Sequence, residues 1–383
     1  MKILTADIGT GTQDIFLYDS ALDLENGYKL VMPSPTMMVN RRLTEATRKK
    51  ETVLLTGTLM GGGPGAWAAR DHVRAGGTLY ATPAAARTFN DDLDYVQNEM
   101  GVRLVSDDEA RALNQAVQLE LKDFDFPLLA RAFAQFGLEL KVDALAVAVF
   151  DHGNAPPGYS DRQFRFDYLD EQCRAAEGLR LSVFAHRADA IPPAMTRLRA
   201  VADSARAQGV DVPLMVMDTA PAAVLGATLD PRVADATRIA GGALVANVGN
   251  FHCLVFRLSS TGIAGLFEHH TGEVTREKLD NFITALADST LQHQDVFDDM
   301  GHGALVYDPT PMPAPRFLAV TGPRRNLLFG SRHNPYFAVP YGDMMLAGGF
   351  GLLAAFAEVY PEFADPIRRS LNGGGGAAPW ETV

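Results

Sequence analysis

The chain has 383 residues, of which 47% are hydrophobic and 21% charged, with a formal net charge of −12 at pH 7. This balance is typical of a soluble globular protein with two domains. An acidic surface repels the phosphate backbone, so nucleic acid is not expected as a partner. The sequence has no apolar run of about 18 residues, so no membrane span is expected. Because Asp7 interrupts any signal sequence, we expect a cytoplasmic location.

The two cysteines, Cys173 and Cys253, fit neither a metal-binding spacing nor a disulfide framework. We expect both to be buried as small apolar side chains. Radical chemistry from a [4Fe–4S] cluster needs at least three closely spaced thiolates on one loop. Since these 383 residues supply no such loop, we exclude that chemistry.

Short apolar strands alternate with helical stretches along the first part of the chain, a pattern typical of an α/β fold. The predicted strands are 3–8, 14–18, 29–32, 53–58, 78–81, 145–150, 181–185 and 214–217. Residues 84–140 are predicted to be mainly helical. The periodic helices are 107–121, 127–136, 193–208 and 220–225.

The pattern restarts at Gly241 with strands 243–248, 253–258, 263–268 and 317–321 and helices 276–287 and 343–360. Each half therefore begins with a hairpin, which indicates weak internal repetition. We predict an N-terminal lobe at 1–235 with a helical insertion near 84–140, and a C-terminal lobe at 236–371. The Gly-rich residues 372–383 are predicted to form a flexible tail.

Five segments resemble, in the same order, motifs of the actin, sugar-kinase and Hsp70 superfamily of ATPases. They are Asp7–Thr12, Met217–Gly226, Asn247–Asn250, Val320–Pro323 and Ala347–Leu352. The resemblance implies two ribonuclease-H-like α/β lobes around a central cleft that binds ATP or ADP with Mg²⁺. It also implies that Asp7 holds Mg²⁺ through water and belongs to the catalytic machinery.

The predicted cofactor contacts are mainly glycines, because a tight Gly/Thr turn brings several backbone N–H groups close to an anion. The predicted nucleotide-binding residues are Gly9, Thr10, Gly11, Thr12, Gly249, Asn250, Gly322, Gly348 and Gly349. The alternative is that residues 9–12 form only a hairpin turn. Two positions depart from the superfamily, since Asp14 replaces a basic residue and Asn247 an acidic one. Asp14 would repel a terminal phosphate unless a metal lies between them.

Asp218 follows a predicted strand, and the resemblance implies that it is a catalytic base towards an acceptor hydroxyl or water. The alternative is a helix N-cap, because Asp before an Ala-rich helix with Pro221 in its first turn is explained locally. The two roles do not exclude each other.

Several histidines lie beside glycines and acids at strand ends. We predict His152 as a catalytic residue, His269 and Asp151 as substrate contacts, and His270 and His302 as ligands of a transition metal such as Zn²⁺, Fe²⁺ or Mn²⁺. Because neighbours on a strand point to opposite faces, only one of His269 and His270 is expected to reach a shared site. The alternative is a set of separate, hydrogen-bonded histidines. The histidines expected to be structural or exposed are His72, His186, His252, His293 and His333.

Gly61–Ala66 follows a strand and opens a helix, with Gly62 and Gly63 predicted to bind substrate through a helix N-terminus. The spacing also fits a dinucleotide fingerprint, but the acid expected about 20 residues later is missing. A plain tight turn is the remaining alternative.

Four motifs are similar to a prokaryotic family described as a pyruvate formate-lyase activating enzyme. They are Met60–Pro64, Asp151–Gly153, Glu268–Gly272 and Gly301–Gly303. The radical chemistry in that description contradicts the cysteine content.

Three functions follow from these patterns. The first is an ATP-dependent small-molecule kinase or ATPase. The second is a metal-dependent hydrolase or transferase that uses the His/Asp/Glu cluster. The third is a nucleotide-gated partner protein without catalysis. A small-molecule substrate is expected, and a protein partner or a homodimer is left open.

Overall fold

The computed structural model describes residues 1–175, 181–239 and 241–381. Its strands are β1 (Lys2–Ile8), β2 (Thr12–Asp19), β3 (Tyr28–Pro33), β4 (Val53–Gly57), β5 (Leu79–Ala81), β6 (Arg103–Leu104), β7 (Val117–Leu121), β8 (Ala144–Val149), β9 (Ala185–Arg187), β10 (Leu214–Asp218), β11 (Ala243–Val248), β12 (His252–Ser259), β13 (Gly262–His270), β14 (Gly303–Val306), β15 (Leu318–Thr321) and β16 (Tyr336–Phe337).

The helices are α1 (Pro35–Lys49), α2 (Gly63–Arg74), α3 (Pro83–Ala86), α4 (Leu93–Asn98), α5 (Asp107–Ala112), α6 (Phe126–Ala134), α7 (Asp161–Ala175), α8 (Thr196–Ala207), α9 (Thr219–Ala227), α10 (Pro231–Arg238), α11 (Arg276–Ala287), α12 (His293–Phe297), α13 (Ala347–Val359) and α14 (Ala364–Leu371). Within the described ranges, no helix combines the length and the apolar character that crossing a bilayer requires.

The two large sheets repeat one topology. The first has the order β3-β2-β1-β8-β10-β9 and the second β14-β13-β12-β11-β15-β16. In each sheet three antiparallel strands are followed by two strands parallel to the first of them, β8 and β10 in one sheet and β15 and β16 in the other. This order, with one additional edge strand in each sheet, is ribonuclease-H-like and occurs twice. The predicted duplicated α/β fold is confirmed.

Each sheet begins with a hairpin that closes in the same way. Gly9 N donates to Thr12 O at 2.9 Å, and Gly249 N donates to His252 O at 2.9 Å. The strands that lead into these bends are almost wholly buried, because both are central in their sheets. The bends therefore lie at the ends of rigid strands, which fixes their positions.

The segment between β3 and β8 contains a third sheet, with the order β6-β5-β4-β7, of which only β6 and β7 lie within the predicted helical insertion. The prediction of a continuous helix over 107–121 is wrong, since α5 ends at Ala112 and β7 follows. In β7 the exposed Gln118 and Glu120 alternate with the buried Leu119 and Leu121, and the strand pairs with β4. Pairing with β4 outweighs the weak helical pattern of β7, because the strand preference of a short segment depends on its tertiary contacts. The predicted strand at 181–185 is likewise corrected, because Leu181–Phe184 is a 3₁₀ helix that precedes β9.

Helices α9 and α13 cross so closely that only small residues fit between them. A methyl group added at Gly226 would overlap the carbonyl of Ala347, and one added at Gly351 would overlap the carbonyl of Ala222. Helix α13 also contacts β1 and β8 of the first sheet. Ala377 in the C-terminal segment forms a bridge with Leu22. The division into lobes at residue 236 stays a prediction, and residues 382 and 383 of the predicted flexible tail lie outside the described ranges.

The crossing gives a test of packing. In the Gly351→Ala variant the added methyl group must displace backbone rather than a flexible side chain, so we expect the free energy of unfolding to fall by about 1–3 kcal/mol. Gly272→Ala is the matched control, because nothing lies within 4 Å of its added methyl group, and its effect should stay within about 0.5 kcal/mol. Urea unfolding followed by circular dichroism measures both, and equal stabilities would contradict this packing.

Candidate functional site

A cavity of about 1280 Å³ opens between the two large sheets, and both hairpin bends lie on its wall. The sequence-predicted site residues on this wall are Asp7, Gly9, Thr10, Thr12, Gly62, Gly63, Asp151, His152, Gly249, Asn250, Gly322 and Gly348. The predicted residues that do not line it are Gly11, Asp218, His269, His270, His302 and Gly349. The structure thus brings most of the predicted nucleotide contacts to one cavity.

The two bends touch each other across the cleft. A methyl group at Gly11 would overlap the side-chain amide of Asn250, so the two bends are in direct contact. Within the described ranges, the backbone N–H groups of Thr10, Gly11, Asn250 and Phe251 have no backbone or side-chain acceptor. Unpaired amides from two facing bends form the kind of concave site that binds anions.

The Gly61–Gly63 loop closes a third side of the cavity. A methyl group at Gly63 would contact the Phe251 ring at 3.1 Å. The ring of Trp67 lies 5.4 Å from that of Phe251, and Thr36 Oγ1 donates to Gly62 O at 2.6 Å. The N-terminus of α2 therefore lies close to the second bend.

Asp7 and Asp14 lie directly opposite each other on β1 and β2. Both are only 8% exposed, and both line the cavity. Burial is the main cause that raises the pKa of Asp7 to about 7 and that of Asp14 to about 8. Repulsion from Asp218 contributes at Asp7, and repulsion from Asp7 and Asp343 contributes at Asp14. Thr219 Oγ1 donates to Asp7 Oδ1 at 2.5 Å, whereas Asp14 Oδ1 is buried without a partner. Two adjacent desolvated carboxylates need protons or a cation.

The loop after β15 and the start of α13 carry the predicted nucleotide contacts Gly322, Gly348 and Gly349. Gly322 has a φ of +97°, and a methyl group there would contact the Val248 carbonyl at 2.5 Å. A methyl group at Gly348 would overlap the carboxylate of Asp7. Gly349 faces Thr5 Oγ1 behind the wall. The glycines therefore let α13 and the β15 loop approach both bends.

Asp218, the predicted base, does not line the cavity. Its carboxylate is 1% exposed and pairs with the wholly buried Arg165, whose Nη1 lies 2.5 Å from Asp218 Oδ2. It also accepts from Ala220 N at 3.2 Å and so caps α9. Arg165 Nη2 further pairs with Glu268 of the second sheet at 2.9 Å. The observed contacts of Asp218 are thus those of an N-cap and an ion pair.

Asp151 organises the segment that bears His152. Its carboxylate accepts from Gly153 N at 2.8 Å and from the backbone N–H groups of Arg197 and Leu198 at 2.9 Å. Burial raises its pKa. All these partners belong to the protein itself, so the side chain positions its neighbours on the cavity wall.

Three histidines converge beside the bends. His152, His252 and His302 each present a ring nitrogen within 4.8 Å of the others, and the Nε2 atoms of His152 and His302 are 3.3 Å apart. Burial lowers the pKa of His152 to about 3 and those of His252 and His302 well below the ordinary value. All three rings are therefore neutral near pH 7.

His269 and His270 point to opposite faces of β13, as expected. The His270 ring lies 4.7 Å from that of His302, and its Nδ1 lies 2.6 Å from the carbonyl of Met300. The His269 ring stacks on Phe282 instead, and its Nε2 lies 3.2 Å from Asp299. His269 is thus remote from the cavity wall where a substrate contact was predicted.

Two residues that are important here, His252 and Arg165, were not identified from the sequence. His252, expected to be structural or exposed, is part of the histidine group because it lies opposite His270 on adjacent strands. Its position directly after the Gly249-Asn250 bend was the available signal. Arg165 gave no signal, because its partners are 53 and 103 residues away in the sequence.

The duplicated sheets, with the facing bends at a shared cavity, have the architecture of the actin/sugar-kinase-like fold. A family model described as "Putative pyruvate format-lyase activating enzyme (DUF1786)" matches residues 60–327. The match covers more than half of the chain, which therefore belongs to this family. The radical chemistry implied by that description lacks a cluster site here, because the cysteines are only Cys173 and Cys253, and both are buried.

Solved structures with similarity to the chain include the ethanolamine utilization protein EutJ from Carboxydothermus hydrogenoformans. It is 12% identical, with 92% of this chain and 89% of that chain covered and a TM-score of 0.31. An exopolyphosphatase-like protein is 9% identical over 95% of this chain and 92% of that chain, with a TM-score of 0.27. No curated protein sequence matches the chain.

The Asp7–Asp14 pair predicts a pH dependence in EDTA. Because their pKa values are raised on folding, the folded state holds protons that the unfolded chain releases above about pH 4. Stability should therefore fall as the pH rises towards 8, by up to about 1.4 kcal/mol per pH unit for each proton. We expect Asp14→Asn to make this slope shallower and to be more stable than the unmodified protein at pH 8.

Urea unfolding at several pH values measures this slope. The control is Asp19→Asn, which changes a carboxylate on the same strand that pairs with Lys2 and does not line the cavity. If Asp14→Asn and Asp19→Asn show the same change of unfolding free energy with pH, desolvation does not raise the pKa values of the two cavity acids.

Proposed function

We propose that the cavity binds ATP or ADP with Mg²⁺ and that the protein is a small-molecule phosphotransferase or an ATPase. The observation that carries this proposal is the meeting of two equivalent hairpin bends, each with unpaired backbone N–H groups, at one cavity wall. A polyphosphate presents oxygen anions along its length, so it can accept hydrogen bonds from both bends at once.

The acids on the wall fit a magnesium ion. Mg²⁺ prefers oxygen ligands and retains several waters, and Asp7 and Asp14 offer carboxylate oxygens, including the unpartnered Asp14 Oδ1. A bound Mg²⁺ would bridge phosphate oxygens and neutralise the charge that develops during transfer. This also accounts for Asp14, because a carboxylate that repels a phosphate directly becomes useful when it faces the cation.

The remaining wall is suited to an anionic small molecule. Arg87, Arg162 and Arg197 line the cavity together with the Gly61–Gly63 loop and His152. Arg197 is held by Asp123, with Nε 2.7 Å from Oδ2, whereas Arg87 and Arg162 donate to backbone carbonyls through Nη1. Arginine binds carboxylate and phosphate groups through paired hydrogen bonds. We therefore expect the acceptor to bind beside Arg87, Arg162 and the glycine loop.

Isothermal titration calorimetry tests nucleotide binding. We expect one Mg·ADP per chain, with binding at least about tenfold weaker in Asp7→Asn, a loss of about 1.4 kcal/mol. Removal of Mg²⁺ with EDTA should also weaken the binding of ADP to the unmodified protein. Asp19→Asn is the control and should bind as tightly as the unmodified protein.

The proposal fails if neither Mg·ADP nor Mg·ATP produces heat or raises the melting temperature. It also fails if Asp7→Asn binds as tightly as the control. Release of inorganic phosphate from ATP, measured with and without candidate small acids, then distinguishes an ATPase from a phosphotransferase.

A further inference from the structure

The geometry of His152, His252 and His302 matches that of a metal site. In a tetrahedral zinc site with Zn–N bonds of about 2.0–2.1 Å, two ligand nitrogens are separated by about 3.4 Å. The Nε2 atoms of His152 and His302 are 3.3 Å apart, and a nitrogen of His252 lies within 4.8 Å of both. The third ring, His252, stacks on Phe150 with ring centroids 3.9 Å apart, and this contact holds it beside the other two.

The surroundings of His302 support the same conclusion. Its other ring nitrogen, Nδ1, lies 3.3 Å from Glu268 Oε1, and both side chains are fully buried. Metal-binding histidines commonly direct their second nitrogen to a carboxylate, which fixes the ring and makes it a stronger ligand. Glu268 is itself held by Arg165 through Nε at 3.0 Å. Among the described residues, Nδ1 of His302 makes no hydrogen bond, so the Glu268 carboxylate is a fixed, nearby acceptor that a ligating His302 ring could use.

We propose that His152, His252 and His302 bind one divalent transition-metal ion of the zinc type at the wall of the nucleotide cavity. Imidazole nitrogens suit Zn²⁺, Fe²⁺ and related ions, whereas Mg²⁺ selects oxygen ligands. This site is therefore chemically distinct from the pair formed by Asp7 and Asp14.

The metal would keep an open coordination position that faces the cavity. His152 and His252 line the cavity, whereas His302 lies buried behind them. Three protein ligands with a free fourth position are typical of catalytic rather than structural zinc sites. The fourth ligand is a water or an oxygen anion of the substrate. His252 is only two residues beyond Asn250, so the fourth ligand of the metal would lie close to the second hairpin bend.

The metal would also join the two lobes. His152 follows β8 of the first sheet, whereas His252 begins β12 and His302 precedes β14, both in the second sheet. Ligands from both sheets can bind one ion only while the two sheets keep this arrangement. Binding of the metal should therefore stabilise it, because a ligand stabilises the state that binds it.

The experiment uses the full chain without a histidine tag, stripped with a chelator and titrated with Zn²⁺ by calorimetry and with Co²⁺ by visible absorption. We expect one ion per chain and the absorption spectrum of four-coordinate Co²⁺. His152→Ala and His252→Ala should each weaken Zn²⁺ binding at least tenfold, and the double variant should abolish it. The matched control is His333→Ala, whose ring contacts Thr284 and Asp280 outside the cavity wall.

Asp7→Asn should leave Zn²⁺ binding unchanged, which separates this site from the proposed magnesium site. The inference is overturned if the unmodified protein binds well below one ion, if the Co²⁺ spectrum is that of a six-coordinate ion, or if Asp7→Asn rather than the histidine variants loses the metal. Because the stoichiometry and the spectrum are measured on the unmodified protein, they decide the question even if a variant does not fold. Mg·ADP binding is measured separately, so failure here is distinguishable from failure of the proposed nucleotide function.

Discussion

The ion pairs of Arg165 join the two large sheets through buried side chains. Its guanidinium group binds Asp218 of the first sheet and Glu268 of the second, and all three side chains are at most 1% exposed. Removal of one partner from such a buried set typically costs about 3–5 kcal/mol, because the remaining charge has lost both water and its counter-ion. These ion pairs connect the two large sheets, and they hold the Glu268 carboxylate 3.3 Å from Nδ1 of His302.

The duplicated topology explains why two similar bends face each other. The hairpin that begins each sheet closes in the same way, so the two sheets bring two sets of backbone N–H groups together. Asp7 and Asp14 lie on the same wall, and neither carboxylate is well solvated. In the function proposed above, Mg²⁺ would offset the charge of the two carboxylates and of the phosphates. The proposed site is thus complementary to a cation and an anion together.

Local patterns in the sequence predict the parts of this structure that depend on local chemistry. The two hairpins, helix α11 and the small-residue helix α13 follow from apolar spacing and from glycine positions, and the order of five motifs predicts the duplicated fold. The strand at Val117–Leu121 was missed because its pairing with β4 outweighs a weak helical pattern. Asp218 was predicted to be a base, but its ion pair depends on Arg165, which no local pattern reveals.

The histidine site likewise could be predicted only in part from local sequence patterns. His152 and His302 lie in glycine-flanked motifs and His252 follows the Gly249-Asn250 bend, but the convergence of the three rings depends on how strands of two sheets are paired and packed. Register between strands is set by tertiary pairing, so a single sequence does not reveal it.

A crystal structure of the full chain with Mg²⁺ and a non-hydrolysable ATP analogue tests the central claim most directly. The account predicts phosphate oxygens within hydrogen-bonding distance of backbone N–H groups in both the Thr10-Gly11 and the Asn250-Phe251 bends, with Mg²⁺ beside Asp7. Phosphates bound outside the cleft, or bound by one bend while the other remains unoccupied, would contradict it.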